Sequence, residues 1–62
     1  MVLYELLKVL DPTIEVKIVL VKDNDIIETT TRELDYKFVK DEIVYIRQDF
    51  QEKQVIIKLK GE

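Results

Sequence analysis

Sixty-two residues, 47% of them hydrophobic, with ten basic and thirteen acidic side chains and a net charge of −3, describe a single small globular domain, 1–62, and not a disordered chain. The sequence has no Cys and no His, which excludes disulfide staples, thiolate zinc sites and the commonest neutral metal ligand. A core of this size rarely supplies more than about 3–5 kcal/mol, so either it is well packed alone or a partner chain, most economically a second copy, supports it.

The first expected element is a helix over residues 2–10. Leu3, Leu6, Leu7 and Leu10 recur at i, i+3, i+4 and i+7, one face of a helix. Glu5 in its first turn and Lys8 in its last both suit the helix dipole. No Ser, Thr, Asp or Asn stands ahead of it as an N-cap. Nine residues are too few for a helix stable alone, so the leucine face must rest on other elements. Pro12 cannot extend the helix and pushes Asp11 towards extended backbone.

The period then changes. Ile14, Val16, Ile18 and Leu20 alternate with Glu15 and Lys17, predicting a strand over 14–22. Asp23-Asn24-Asp25 is turn chemistry. A second strand, polar and rich in threonine (Thr29, Thr30, Thr31), is expected over 26–33. Residues 34–42 are ambiguous: Leu34, Tyr36 and Phe38 alternate as in a strand, yet Leu34 and Phe38 are one helical turn apart. They read as an irregular link containing a single helical turn. A third strand is expected over 43–50, a hairpin connection at Gln51-Glu52-Lys53 and a fourth strand over 54–60, ended by Gly61. The implied fold class is α+β, a short N-terminal helix packed on a small, mostly antiparallel four-stranded sheet.

One face of that sheet takes the helix, with Ile14, Val16, Ile18, Leu20, Val44, Ile46, Val55, Ile57 and Leu59 as candidate core. The opposite face should then be polar, but Val19, Val21, Ile26, Ile43, Tyr45 and Ile56 fall out of phase with the core set. Two readings stay open. A contiguous apolar patch on the back of a small sheet marks a protein interface. Alternatively, a bulge near Val19 flips the pleat and returns Val21 to the core, or strong coiling folds part of the back face inward.

The chemistry available is narrow. Without Ser, Cys or His, and with no Thr near the N-terminus, no nucleophile–base pair of the usual kinds can be built. The single glycine, Gly61, makes no phosphate-cradling loop. Paired carboxylates could serve a glycosidase, but a sheet with one short helix offers little material for a cleft. The expectation is a protein that is not an enzyme, with no catalytic residues, no metal and no cofactor. Asp23-Asn24-Asp25 with Glu28 invites a calcium loop, but Ile27 and Glu28 occupy the places where an EF-hand needs an oxygen ligand and Gly. A plain hairpin turn is the reading taken. The acidic pairs Asp41-Glu42 and Asp49-Glu52 are broken up by Lys40, Arg47 and Lys53, unlike the carboxylate rows of a nucleic-acid mimic. Tyr36, Phe38, Tyr45 and Phe50 could stack bases, which makes a nucleic-acid-associated accessory protein the rival reading. The acidic balance argues against it. Lys58 and Lys60 look like protection of an exposed edge. No apolar run approaches a membrane span, and Met-Val-Leu-Tyr-Glu is not expected to open a signal peptide, so a cytoplasmic location and no membrane partner are expected.

The run Leu3-Tyr4-Glu5-Leu6-Leu7-Lys8-Val9-Leu10-Asp11-Pro12, followed by Ile14, Val16 and Ile18, resembles the opening of small phage- and prophage-encoded proteins of Gram-positive bacteria. Ile43 to Ile46 and Val55 to Leu59 are similar to the strands that close those proteins, so the likeness spans about half the chain. The run Val19 to Lys22 and the Thr-rich second strand depart from it. That family has no established activity, so no functional residue carries over. The resemblance implies an origin in a mobile element, a place in the host cytoplasm, and action by binding and blocking a host or defence protein. Together with the apolar back face, it leads to the expectation of a non-enzymatic protein-binding module that self-associates as a homodimer.

Overall fold

The computed structural model describes residues 1–11 and 13–61, and the reading of Pro12 as the helix stop lies outside them. The elements in order are helix α1 (Leu3–Val9), strands β1 (Lys17–Lys22) and β2 (Asp25–Thr30), a 3-10 turn (Tyr36–Phe38), and strands β3 (Ile43–Asp49) and β4 (Gln54–Leu59). The fold is α+β, one short helix on a four-stranded mixed sheet.

The strands lie in the order β2-β1-β4-β3. Each outer pairing is an antiparallel hairpin, β1 with β2 and β3 with β4. The central pairing of β1 with β4 is parallel. A chain leaving β2 at one edge must therefore cross the sheet to begin β3 at the other edge. Residues 31–42 make that crossing, on the same side as α1. Phe38 from the crossing and Leu3 from the helix pack with Ile18, Leu20, Ile57 and Leu59 into one buried cluster. Leu6, Leu7, Val16, Ile27, Leu34, Ile43 and Val55 lean against it, half-buried. Full burial of each large aliphatic side chain contributes about 1.5–3 kcal/mol.

The crossing also supplies what the helix lacks. The first amides of a helix have no acceptors within it, and Val2 at the N-cap position has no side-chain acceptor. Here the Leu3 N–H donates to the Asp41 carbonyl (2.9 Å) and the Tyr4 N–H to the Val39 carbonyl (2.8 Å). The Val2 N–H donates to Glu5 Oε1 at 3.0 Å. Helix and crossing are thus joined through backbone.

Several expectations need correction. The first strand begins at Lys17 and not at 14, because the chain makes a turn first: Asp11 Oδ1 accepts from the Thr13 N–H (2.9 Å) and hydroxyl (2.7 Å), and the Ile14 N–H donates to the Asp11 carbonyl (3.2 Å). Ile14 is consequently exposed and not core. The second strand stops at Thr30, whose hydroxyl accepts the Glu33 N–H at 3.2 Å and turns the chain. Strand β1 runs in unbroken register, so no bulge lies near Val19. The irregularity is in β3, where Ile43 pairs with Leu59 but Tyr45, not Val44, pairs with the preceding Lys58. That extra residue puts Ile43 and Tyr45 on opposite faces. Ile43 therefore belongs against the core and leaves the proposed back-face set. Val44, at the bulge, is exposed rather than core. Ile46 pairs with Ile57 on the covered side but is exposed as well, because β3 is an edge strand and the cluster centres on β1 and β4.

Candidate functional site

Alternation along the strands leaves one sheet face without a helix, and the registers place its residues in rows. Strand β1 contributes Lys17, Val19 and Val21, since Ile18 and Leu20 point into the core. The antiparallel partners of these residues in β2 are Thr30, Glu28 and Ile26. In β4, Ile56 stands beside Val19 and Lys58 beside Val21. In β3, Tyr45 stands beside Lys58, Arg47 beside Ile56 and Asp49 beside Gln54. From one edge of the sheet to the other, the lower row reads Thr30, Lys17, Gln54, Asp49. The middle row reads Glu28, Val19, Ile56, Arg47, and the upper row Ile26, Val21, Lys58, Tyr45.

Five of the six residues singled out from phase alone, Val19, Val21, Ile26, Tyr45 and Ile56, therefore share this face. Val19, at the centre of the middle row, is only 8% exposed, enclosed by its neighbours on the same face. Val21 and Ile56 are half-buried. Ile26 and Tyr45 are the open members, at 70% and 42% exposure, on opposite edges of the upper row. Each of the four strands thus places at least one apolar side chain on this face.

Phase alone did not single out the polar ends of the middle row. Glu28 and Arg47 stand about 14 Å apart, three strand spacings. Both are exposed, and among the described residues neither takes part in an ion pair. The Arg47 guanidinium lies 5.4 Å from the centre of the Tyr45 ring, holding the two side chains together on this face. The lower row is already internally bonded: Gln54 Nε2 donates to Asp49 Oδ2 (3.2 Å) and the Thr30 hydroxyl to Glu15 Oε2 (3.2 Å).

The other candidate features do not converge. Phe38 is buried in the core, Tyr36 is exposed on the crossing, Phe50 is exposed beyond the end of β3, and only Tyr45 lies on the helix-free face. The four aromatics therefore form no common platform. The Asp23-Asn24 turn places Asp23 at φ 54°, in the left-handed region that Asp tolerates. Among the described residues no three carboxylates gather into a cluster able to hold a metal. Beside α1, Tyr4, Leu7, Leu10, Ile14, Leu34 and Tyr36 line a surface groove of about 320 Å³. Its one acidic wall residue is Asp11, whose carboxyl the Thr13 hydroxyl and amide hold below the usual aspartate value. No described helix is long and apolar enough to cross a membrane. No family model, no curated protein and no solved structure matches the chain.

Proposed function

We propose that this chain is a non-enzymatic protein-binding module that associates through the helix-free face of its sheet, with a second copy of itself as the first occupant. One observation carries the reading. An apolar band running from Ile26 through Val21, Val19 and Ile56 to Tyr45 lies on the side away from α1 and the crossing, with exposed charge at both ends of its middle row. An apolar centre with a charged rim is the anatomy of a protein interface. The dispersal of Tyr36, Phe38, Tyr45 and Phe50 leaves the rival nucleic-acid reading without a shared stacking platform of these four rings. A host protein, the target that the phage-like opening implies, would compete with the second copy for the same face.

Sedimentation equilibrium tests this over a concentration series. The expected result is a monomer–dimer equilibrium, abolished by Tyr45→Glu and by Ile26→Glu with the circular dichroism spectrum unchanged. Both side chains are exposed, so neither substitution should unfold the chain. A chain that stays monomeric up to about 1 mM, or a dimer indifferent to both substitutions, would overturn it. Retention of DNA or RNA at low salt by a strict monomer would favour the rival.

A further inference from the structure

We propose that two copies meet face to face about a two-fold axis that runs parallel to β1 and β4 and between them, so that Glu28 of each copy stands opposite the partner's Arg47. The inference rests on the helix-free face being the binding surface and adds the orientation of the occupant.

A symmetric face-to-face pair can use two simple axes on this array of positions. An axis across the strands keeps each residue in its own strand and exchanges the lower and upper rows. It would set Glu28 against the partner's Glu28 and Arg47 against the partner's Arg47. It would also seat Ile26 on Thr30 and Tyr45 on Asp49. Like charges would face each other twice, and the two most open apolar side chains of the face would land on polar groups. An axis along the strands keeps the rows and exchanges the edges. It sets Glu28 against Arg47 twice, Val19 against Ile56 and Ile26 against Tyr45. Lys58 then lies opposite Val21, where its aliphatic stem covers the valine and its ammonium reaches the upper rim. Charge complementarity and apolar burial, two separate properties of the face, select the same axis.

The geometry permits it. Aligned sheets pack about 10 Å apart with their strands turned by about 30°. Glu28 and Arg47 each lie about 7 Å from the axis, so that turn displaces them by only about 4 Å, within the reach of a Glu and an Arg side chain. Three rows on four strands give a footprint of about 400 Å² per copy, below the ~800 Å² of a standard interface. The dimer is accordingly a weak one, and rim charges of this kind set orientation and partner choice.

Charge reversal reads the axis directly. Sedimentation equilibrium on Glu28→Arg and on Arg47→Glu is expected to show association weakened at least tenfold in each. Both the double variant in one chain and an equimolar mixture of the two single variants should recover to within about threefold of the parent, since each restores two opposite-charge contacts. The sequence has no Cys, so a second, independent measurement is available. When Glu28→Cys and Arg47→Cys chains are mixed and treated with a bis-maleimide whose span matches the ~10 Å between packed sheets, the mixed cross-link should form in preference to either homodimeric one. The axis is wrong, with the binding face intact, if Tyr45→Glu splits the dimer but the single reversals do not weaken it, or if cross-links between two Glu28→Cys chains dominate. If the parent chain is monomeric, or its dimer ignores Tyr45→Glu, the binding-face reading itself has failed.

Discussion

Lys22 Nζ lies 2.9 Å from Asp41 Oδ2, and this ion pair fastens the last residue of β1 to the chain crossing above it. Both side chains are largely withdrawn from solvent, and the same ammonium lies 6.0 Å from the centre of the buried Phe38 ring. The backbone of Asp41 meanwhile accepts the first amide of α1. One residue of the crossing is therefore tied to both the sheet and the helix. Asp41→Ala, which keeps the carbonyl, is expected to lower stability by about 1 kcal/mol. Lys60→Ala, which removes the exposed pair of Lys60 with Glu42 at 3.8 Å, should cost less than about 0.5 kcal/mol. Urea unfolding of the two variants measures the difference, and equal costs would show that the Lys22–Asp41 contact is not held in solution.

The centre of the core should be far less tolerant than the edge strand. Leu20 is fully buried between Ile27 and Ile57 in register, and Leu20→Ala is expected to cost about 2–5 kcal/mol. That is comparable to the whole stability of so small a domain, so the far-ultraviolet circular dichroism should be that of an unfolded chain. Ile46→Ala, on the exposed edge, should stay folded and lose less than about 1 kcal/mol. Comparable losses at the two sites would contradict the placement of Ile46.

Lys53 adopts φ 53° in the connection between β3 and β4. A side chain with a Cβ is strained there by about 1–2 kcal/mol, whereas Gly is not. After the entropy that Gly loses on folding, Lys53→Gly should raise stability by about 0.5–1 kcal/mol. Asp23→Gly, at φ 54°, should gain less, because Asp tolerates the left-handed region better than Lys. Thermal or urea midpoints rank the pair, and a loss of stability in Lys53→Gly would count against the turn geometry.

Asp11 accepts the Thr13 hydroxyl and amide, the hydroxyl being the larger cause of its lowered pKa. A carboxyl that is more acidic in the folded chain than in the unfolded one contributes stability above its ordinary value of 3.8. That contribution is lost as pH falls through the lower folded value. In an NMR titration, Asp11 should ionise below an ordinary aspartate, and Thr13→Ala should move it back up. An unchanged titration in Thr13→Ala would show that the hydroxyl bond is not populated.

Local pattern was enough to read one helix, four strands, their turns and which strand residues alternate, because periods of 3.6 and 2 depend only on neighbours along the chain. Leu3 and the alternation around Ile18 and Leu20 lead directly to the buried cluster, with Leu6 and Leu7 half-buried against it, whereas Leu10, the fourth leucine of the predicted face, lies beyond α1 and outside the cluster. Five of the six back-face residues follow from the same phase argument. Ile43 does not, since a bulge inserts one residue without any mark in the sequence and reverses the pleat between Ile43 and Tyr45. The parallel pairing of β1 with β4 is not legible either, because it arises from where the crossing carries the chain. Nor are Glu28 and Arg47, nineteen positions apart in sequence, recognisable as the two ends of one row. Which faces are apolar is settled by residues one or two positions apart. Which charges frame those faces is settled by register between strands distant in sequence, and register exists only once the sheet has assembled.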